Sequence, residues 1–241
     1  MYTLAVSVAI STAISLILYF LTYSIFWPII LFVVGVLGIN FFVGKKFMNK
    51  LTDHFKMVEK DLTAGRAEKA IERLKEAYPY GKWQFFVKEQ IDAQIGIILY
   101  TNQKFDEAEP YLNNGFTKNW MSMAMLAALR FKQGRFDDCF KIMDKAVKGS
   151  PKQGFLYSLY AHFLMEKGDN DKAVVILSKG ADKNPLDERL QSAMEAVKNG
   201  KKLKMQNYGN LWLQMHLGAK MPQGAKPYQQ FLANQRMGKR R

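Results

Sequence analysis

From Met1 to Gly44 the chain is apolar almost without interruption and contains no Asp, Glu, Lys, Arg or His. From Leu51 onward the pattern changes. Apolar residues recur at spacings of three and four with charged residues between them, and no alternating β-branched run is long enough for a strand. The expected fold class is all-α: an N-terminal two-helix hairpin within residues 1–44, then an array of paired helices over about residues 51–200.

A single helix over the uncharged head would run roughly 65 Å, about twice the hydrocarbon thickness of a bilayer. Two spans fit better, the first from about Tyr2 to Phe20 and the second from about Ile29 to Val43. Trp27-Pro28 is expected to break the helical run, because proline lacks the amide donor and disfavours a helical residue before it. Tyr19, Tyr23 and Trp27 near the break suit the headgroup level. A cleaved signal peptide fits poorly, since no basic region precedes the apolar run and the run is too long. The second span is short, so a tilted or re-entrant hairpin stays open.

Lys45, Lys46 and Lys50 form a basic juxtamembrane linker over residues 45–50. The positive-inside tendency places everything after Gly44 in the cytoplasm, making this a two-span integral membrane protein. The lone Cys139 agrees with a reducing compartment, because no intrachain disulfide can form.

The body carries a recurring phrase. It reads Gly65-Arg66-Ala67-Glu68-Lys69-Ala70, Gln103-Lys104-Phe105-Asp106-Glu107-Ala108, Gly134-Arg135-Phe136-Asp137-Asp138-Cys139 and Gly168-Asp169-Asn170-Asp171-Lys172-Ala173. The turn positions are 38, 31 and 34 residues apart, a period that marks stacked helix pairs. Gly134 and Gly168 supply the left-handed residue that ends the first helix of a pair. Leu186 to Lys198 reads as a capping helix after Pro185.

These residues resemble the tetratricopeptide repeat family. The fourth unit matches best, through Tyr157, Tyr160, Ala161, Leu164, Gly168, Ala173, Leu177, Gly180 and Pro185. The third carries Leu126, Ala127, Gly134, Cys139, Met143, Ala146 and Pro151, with Arg130 where an apolar or aromatic residue is usual. The second has Ile95, Gly96, Leu99, Ala108, Leu112 and Gly115, with Gln103 in place of the turn glycine. The first is degenerate, through Val58, Gly65, Ala70, Leu74 and Ala77.

The resemblance implies an α-solenoid of about three to four helix pairs whose first helices line a concave groove. It implies groove positions at Gln90 and Gln94, Met121 and Met125, and Phe155, Leu159 and His162, with Ala93, Ile97, Ala124, Ala128 and Ser158 beside them. Some family members clamp a peptide carboxylate with Lys, Arg and Asn at such positions. This sequence has none there, so that function is not carried over. The remaining methionine-rich lining suits an adaptable apolar contact with a protein partner, and would equally suit core between helices.

Charge alters the picture only at the ends. The net charge is +14, yet residues 51–200 carry +2 and the basic tail 201–241 carries +9. A near-neutral body argues against a basic nucleic-acid domain. Lys45, Lys46, Lys50 and the tail are candidates for contact with anionic lipid, which attracts each cation by about 1 kcal/mol near the surface. Within the tail, Leu211–Leu217 contains Trp212 and Leu213, poor residues to leave in water. It is expected to pack on the solenoid as an end cap or a groove occupant.

No catalytic constellation stands out. His54, His162 and His216 lack metal-ligand spacing, and there is no phosphate loop, nucleophile elbow or His-Glu-x-x-His run. No cofactor or metal is expected. Asp106-Glu107 and Asp137-Asp138 follow turns, where acids favour the start of a helix. The expectation is a non-enzymatic, membrane-anchored adaptor that binds protein partners at the cytoplasmic face. A structural subunit of a membrane complex, or a ribosome- or nucleic-acid-contacting membrane factor using the basic tail, are the alternatives.

Overall fold

The computed structural model describes residues 2–83 and 85–218, apart from the side chain of Met48. Among these residues there is no strand, and the chain is all-α. The turn-like Met221-Pro222-Gln223-Gly224 and the terminal Lys239-Arg240-Arg241 lie outside the described residues. The chain divides into two units, Met1–Ile91 and Asp92–Arg241.

The first unit holds α1 (Tyr2–Thr22), α2 (Phe26–Thr63), α3 (Ala67–Glu76) and a 3-10 turn at Tyr78–Lys82. α1 and α2 pack together as a hairpin. Its break falls at Tyr23–Ile25, ahead of the expected Trp27-Pro28. Pro28 sits in the first turn of α2, where its missing amide hydrogen would have found no helical acceptor, so it starts the helix rather than ending it. Tyr23 makes the turn with φ 47°, and its N–H donates to the Tyr19 carbonyl.

The hairpin packs with small residues inside and large apolar ones outside. α1 buries Thr3, Ser7, Ser11 and Ser15, one per turn on a single face. Ile14, Ile17, Phe20 and Leu21 face outward, as do Phe26, Leu37, Phe41 and Phe42 of α2. A Cβ on Gly35 would stand 2.8 Å from the Ser11 hydroxyl oxygen, so glycine there lets the two backbones approach closely.

α2 continues without interruption through Lys45, Lys46 and Lys50 and becomes the partner of α3. Leu51, Val58 and Leu62 are buried in its second half, as are Ala70 and Leu74 of α3. The buried Asp61 pairs with Arg73 at 2.5 Å and Arg66 at 2.9 Å. Burial would raise the pKa of its carboxyl, but the hydrogen bond and charge of Arg73, with Arg66 and Lys69, outweigh this and lower it. Just past Lys46, Phe47 stacks on Trp83 at 4.8 Å, Trp83 meets Tyr2 edge-on at 5.4 Å, and the Thr3 hydroxyl donates to the Trp83 carbonyl. The start of α1 and the basic stretch of α2 therefore lie at the same end of the hairpin.

α4 (Val87–Thr101) carries the boundary between the units. The second unit continues with α5 (Phe105–Asn114), α6 (Trp120–Lys132), α7 (Phe136–Gly149), α8 (Gly154–Glu166), α9 (Asn170–Lys183) and α10 (Glu188–Lys198). A 3-10 turn at Met205–Tyr208 and a short α11 (Asn210–Gln214) follow. Successive helices pair as expected, α6 with α7 and α8 with α9, while α10 packs on α9 and α8. The capping helix begins after Leu186, which is 94% exposed, because Asp187 caps it by accepting from the Leu190 N–H.

Equivalent turns close the pairs in one geometry. Gly65, Gln103, Gly134, Gly168 and Gly200 all have positive φ, between 62° and 81°. In each case the next residue donates its N–H to the carbonyl five positions back: Arg66 to Asp61, Lys104 to Leu99, Arg135 to Arg130, Asp169 to Leu164 and Lys201 to Ala196. That bond satisfies a carbonyl the helix end would leave bare. Gln103 adopts the same left-handed conformation with a side chain, which glycine would avoid. Close helix approach rests on other glycines. A Cβ on Gly96 would come 2.7 Å from Leu112, and one on Gly180 would come 2.5 Å from the Tyr157 ring.

Candidate functional site

In the second unit the first helix of each pair, α4, α6 and α8, carries the face that the sequence leads one to expect as the inner one. On α6, Met121, Met125, Ala128 and Lys132 share one face by helical spacing. On α8, Phe155, Ser158, Leu159 and His162 do the same. Asn119 fixes the start of α6 by accepting from the Ser122 N–H at 3.1 Å. Phe131 of α6 stacks on Phe163 of α8 at 4.6 Å, and Trp120 meets Phe155 edge-on at 6.3 Å, so the two helices are locked side by side.

The chain's own C-terminal segment lies on this face. Tyr208 packs edge-on to Phe155 at 5.2 Å, and its hydroxyl shares a 2.7 Å hydrogen bond with that of Ser158. Trp212 meets His162 at 4.9 Å. Met215 is fully buried, and its carbonyl accepts from the Tyr100 hydroxyl of α4 at 2.7 Å. His216 packs against Tyr100 and Phe105. The segment thus touches α4, α5 and α8. Met205, Tyr208, Trp212 and Met215 are all buried, whereas Leu213 is 38% exposed.

Burial sets the electrostatics here. It lowers the pKa of His162, opposed by the charge of Glu166. It lowers that of His216 as well, together with the Lys132 charge and against a backbone hydrogen bond with Thr101. Burial pushes the Tyr100 phenol up, and the Tyr208 phenol too, with the Ser158 hydrogen bond opposing the latter. The face thus favours uncharged, aromatic contacts.

Of the groove residues expected from sequence, Phe155 and His162 touch the segment directly. Met121 and Met125 are buried on α6 and Leu159 on α8, and Gln94 is half-buried on α4. Gln90 belongs to the first unit, half-buried, with its N–H donating to the Phe86 carbonyl. Tyr100 and Phe105 escaped the sequence reading. Tyr100 could have been found by continuing the face of Ala93 and Ile97 one turn further along α4.

Arg130, the expected departure from pattern, is buried and answered locally. Its guanidinium pairs with Glu109 of α5, and reaches Asn113 at 2.8 Å and Gln133 at 2.9 Å. The Arg130 hydrogen bond, working against burial and with help from Gln133, lowers the pKa of the Glu109 carboxyl. Burial pushes the Cys139 thiol up to about 12, which keeps it protonated beneath the turn phrase. Among the described residues no cluster of His, Cys, Asp or Glu is arranged to hold a metal ion.

The tetratricopeptide repeat family matches residues 130–197, from the last turn of α6 through α10. No curated protein sequence matches the chain. Among solved structures, MamA from Desulfovibrio magneticus RS-1, residues 41 to the end, is 15% identical with a TM-score of 0.47, covering 68% of this chain and 92% of that one. A MamA RS-1 ArsTM double mutant is similar at 14% identity and TM-score 0.47, with the same coverage. Likeness of that extent carries nothing about function to this chain.

Proposed function

We propose that this chain is a tetratricopeptide-like repeat scaffold held at a membrane by its N-terminal hairpin, gathering protein partners on the cytoplasmic face. The observation that carries the reading is the inverted packing of α1 and α2. Both helices are long and apolar enough to cross a bilayer, at 21 and 38 residues. α1 buries hydroxyl side chains against α2, and the two helices turn Phe20, Leu21, Phe26 and Phe42 outward, each more than 60% exposed. In water such a surface is a large unpaid apolar area; in lipid it is the stable arrangement.

The apolar stretch of α2 from Phe26 to Val43 rises roughly 27 Å, close to the hydrocarbon thickness. Lys45, Lys46 and Lys50 follow it and are exposed, where anionic headgroups would meet them. The aromatic cluster of Tyr2, Phe47 and Trp83 falls at the same end and suits the interface. α2 runs without a break from the apolar stretch into its pairing with α3, so the anchor and the first helix pair share one helix.

Labelling of cysteines introduced into the full chain tests this. With Ser24→Cys in the hairpin turn and Asp182→Cys in the solenoid, an impermeant maleimide applied to intact cells is expected to label the first and spare the second. Labelling of the solenoid cysteine alone would reverse the sidedness, and labelling of both would remove the spanning hairpin.

A further inference from the structure

We propose that Met205–Leu217 is a resident ligand of the inner face, held so that it can be displaced, and that the face accepts in its place a partner segment bearing the same anchors. Those anchors are a phenol at the position of Tyr208, an indole four residues on, and a methionine-sized side chain three residues after that. The proposal rests on the scaffold reading for the existence of a partner and names what that partner must present.

The contacts themselves describe the specificity. Phe155 offers a ring edge and Ser158 a hydroxyl to one aromatic residue, and His162 offers a neutral ring to a second. Tyr100 donates to a main-chain carbonyl, a bond that any segment lying in the same direction can accept. No charged side chain of the segment takes part. The recognised partner is therefore an uncharged, aromatic and thioether-bearing stretch rather than a carboxylate-ended peptide.

The segment is also built to come away. Its helical pieces are four and five residues long, far below the length that persists alone, so the face supplies its order. It is joined to α10 through Gly200, at φ 68°, and by Lys201–Lys204, which form no regular element. Gly209, with φ 54° and ψ −124°, bends it between Tyr208 and Asn210 in a conformation closed to residues with a Cβ. In the docked segment His216 has φ 51°, and its Nε2 is buried with no hydrogen-bond partner among the described residues. A resident ligand of this kind lowers the affinity for a partner by the fraction of time the face is open.

The test uses the full chain in detergent micelles, where binding does not depend on membrane topology, so its failure is separable from failure of the anchoring reading. The probe is a fluorescein-labelled peptide with the sequence of Met205–Gly218. The Trp212→Ala chain is expected to bind it at least tenfold more tightly than the unaltered chain, and adding Phe155→Ala should remove most of that gain. Equal affinity for the unaltered and Trp212→Ala chains, or a gain untouched by Phe155→Ala, would overturn the proposal. Crosslinks from the segment of one copy to α8 of another would assign the face to a second copy and overturn the partner reading. Hydrogen exchange of the unaltered chain guards against a misfolded variant. Amides of residues 205–215 should exchange at least tenfold faster than those in the middle of α8, and equal protection would show a permanent cap instead.

Discussion

The repeated left-handed turn makes a prediction with two opposite signs. Gln103 and Gly168 close equivalent turns at φ 62° and φ 81°. A left-handed residue with a Cβ costs about 1–2 kcal/mol, while glycine loses about 0.5–1 kcal/mol more backbone entropy on folding. Gln103→Gly should therefore stabilise the second unit by about 0.5–1 kcal/mol. Gly168→Ala should destabilise it by about 1 kcal/mol, and by no more, because a Cβ at Gly168 meets nothing within 4 Å. Urea unfolding of the full chain in detergent, followed by circular dichroism, measures both as shifts in midpoint with unchanged slope. The two midpoints should move in opposite directions. If Gln103→Gly lowered the midpoint, the equivalence of the turns and the strain at Gln103 would both be refuted.

Glu109→Gln should destabilise the chain by about 2 kcal/mol, since it leaves the Arg130 charge buried without its carboxylate, whereas Arg130→Met removes that buried charge and should cost less; thermal melts of the two variants give the comparison. Gly180→Ala should cost about 1–3 kcal/mol by forcing a methyl against the Tyr157 ring, read as a lowered urea midpoint. The pH dependence of the C-terminal segment has a fixed sign. His162 and His216 have lowered pKa values in the folded chain, so unfolded or undocked forms bind more protons below about 6.5. Docking is therefore strongest above that pH and weakens as pH falls below it; exchange at residues 205–215, corrected for intrinsic rate, should rise on going from pH 7.5 to pH 5.5, and a fall would contradict the burial of both rings.

The pairs were legible because their determinants are local. A glycine ahead of a small residue, a large apolar one and another small one marks a turn, and Gly134 and Gly168 sit where the phrase requires positive φ. Gln103 could be placed only by register, because its side chain gives no sign of a left-handed backbone. The hairpin break was misplaced because Pro28 reads as a helix breaker until one knows that it lies in a first turn. Arg130 looked like a departure because its partners Glu109 and Asn113 lie on a neighbouring helix, brought near only by folding. The apolar character of Trp212 and Leu213 indicated that the segment packs, but not which residue turns inward. Trp212 faces His162 while Leu213 is partly exposed, and that choice depends on the bend at Gly209.

The central claim is that lipid, not protein, covers the outward apolar faces of α1 and α2. Flotation of the full-length chain on a density gradient, after washing membranes with alkaline carbonate, tests it most directly. The chain is expected to rise with the lipid fraction and to enter solution only with detergent. Recovery as a monodisperse species in the carbonate supernatant would contradict the claim.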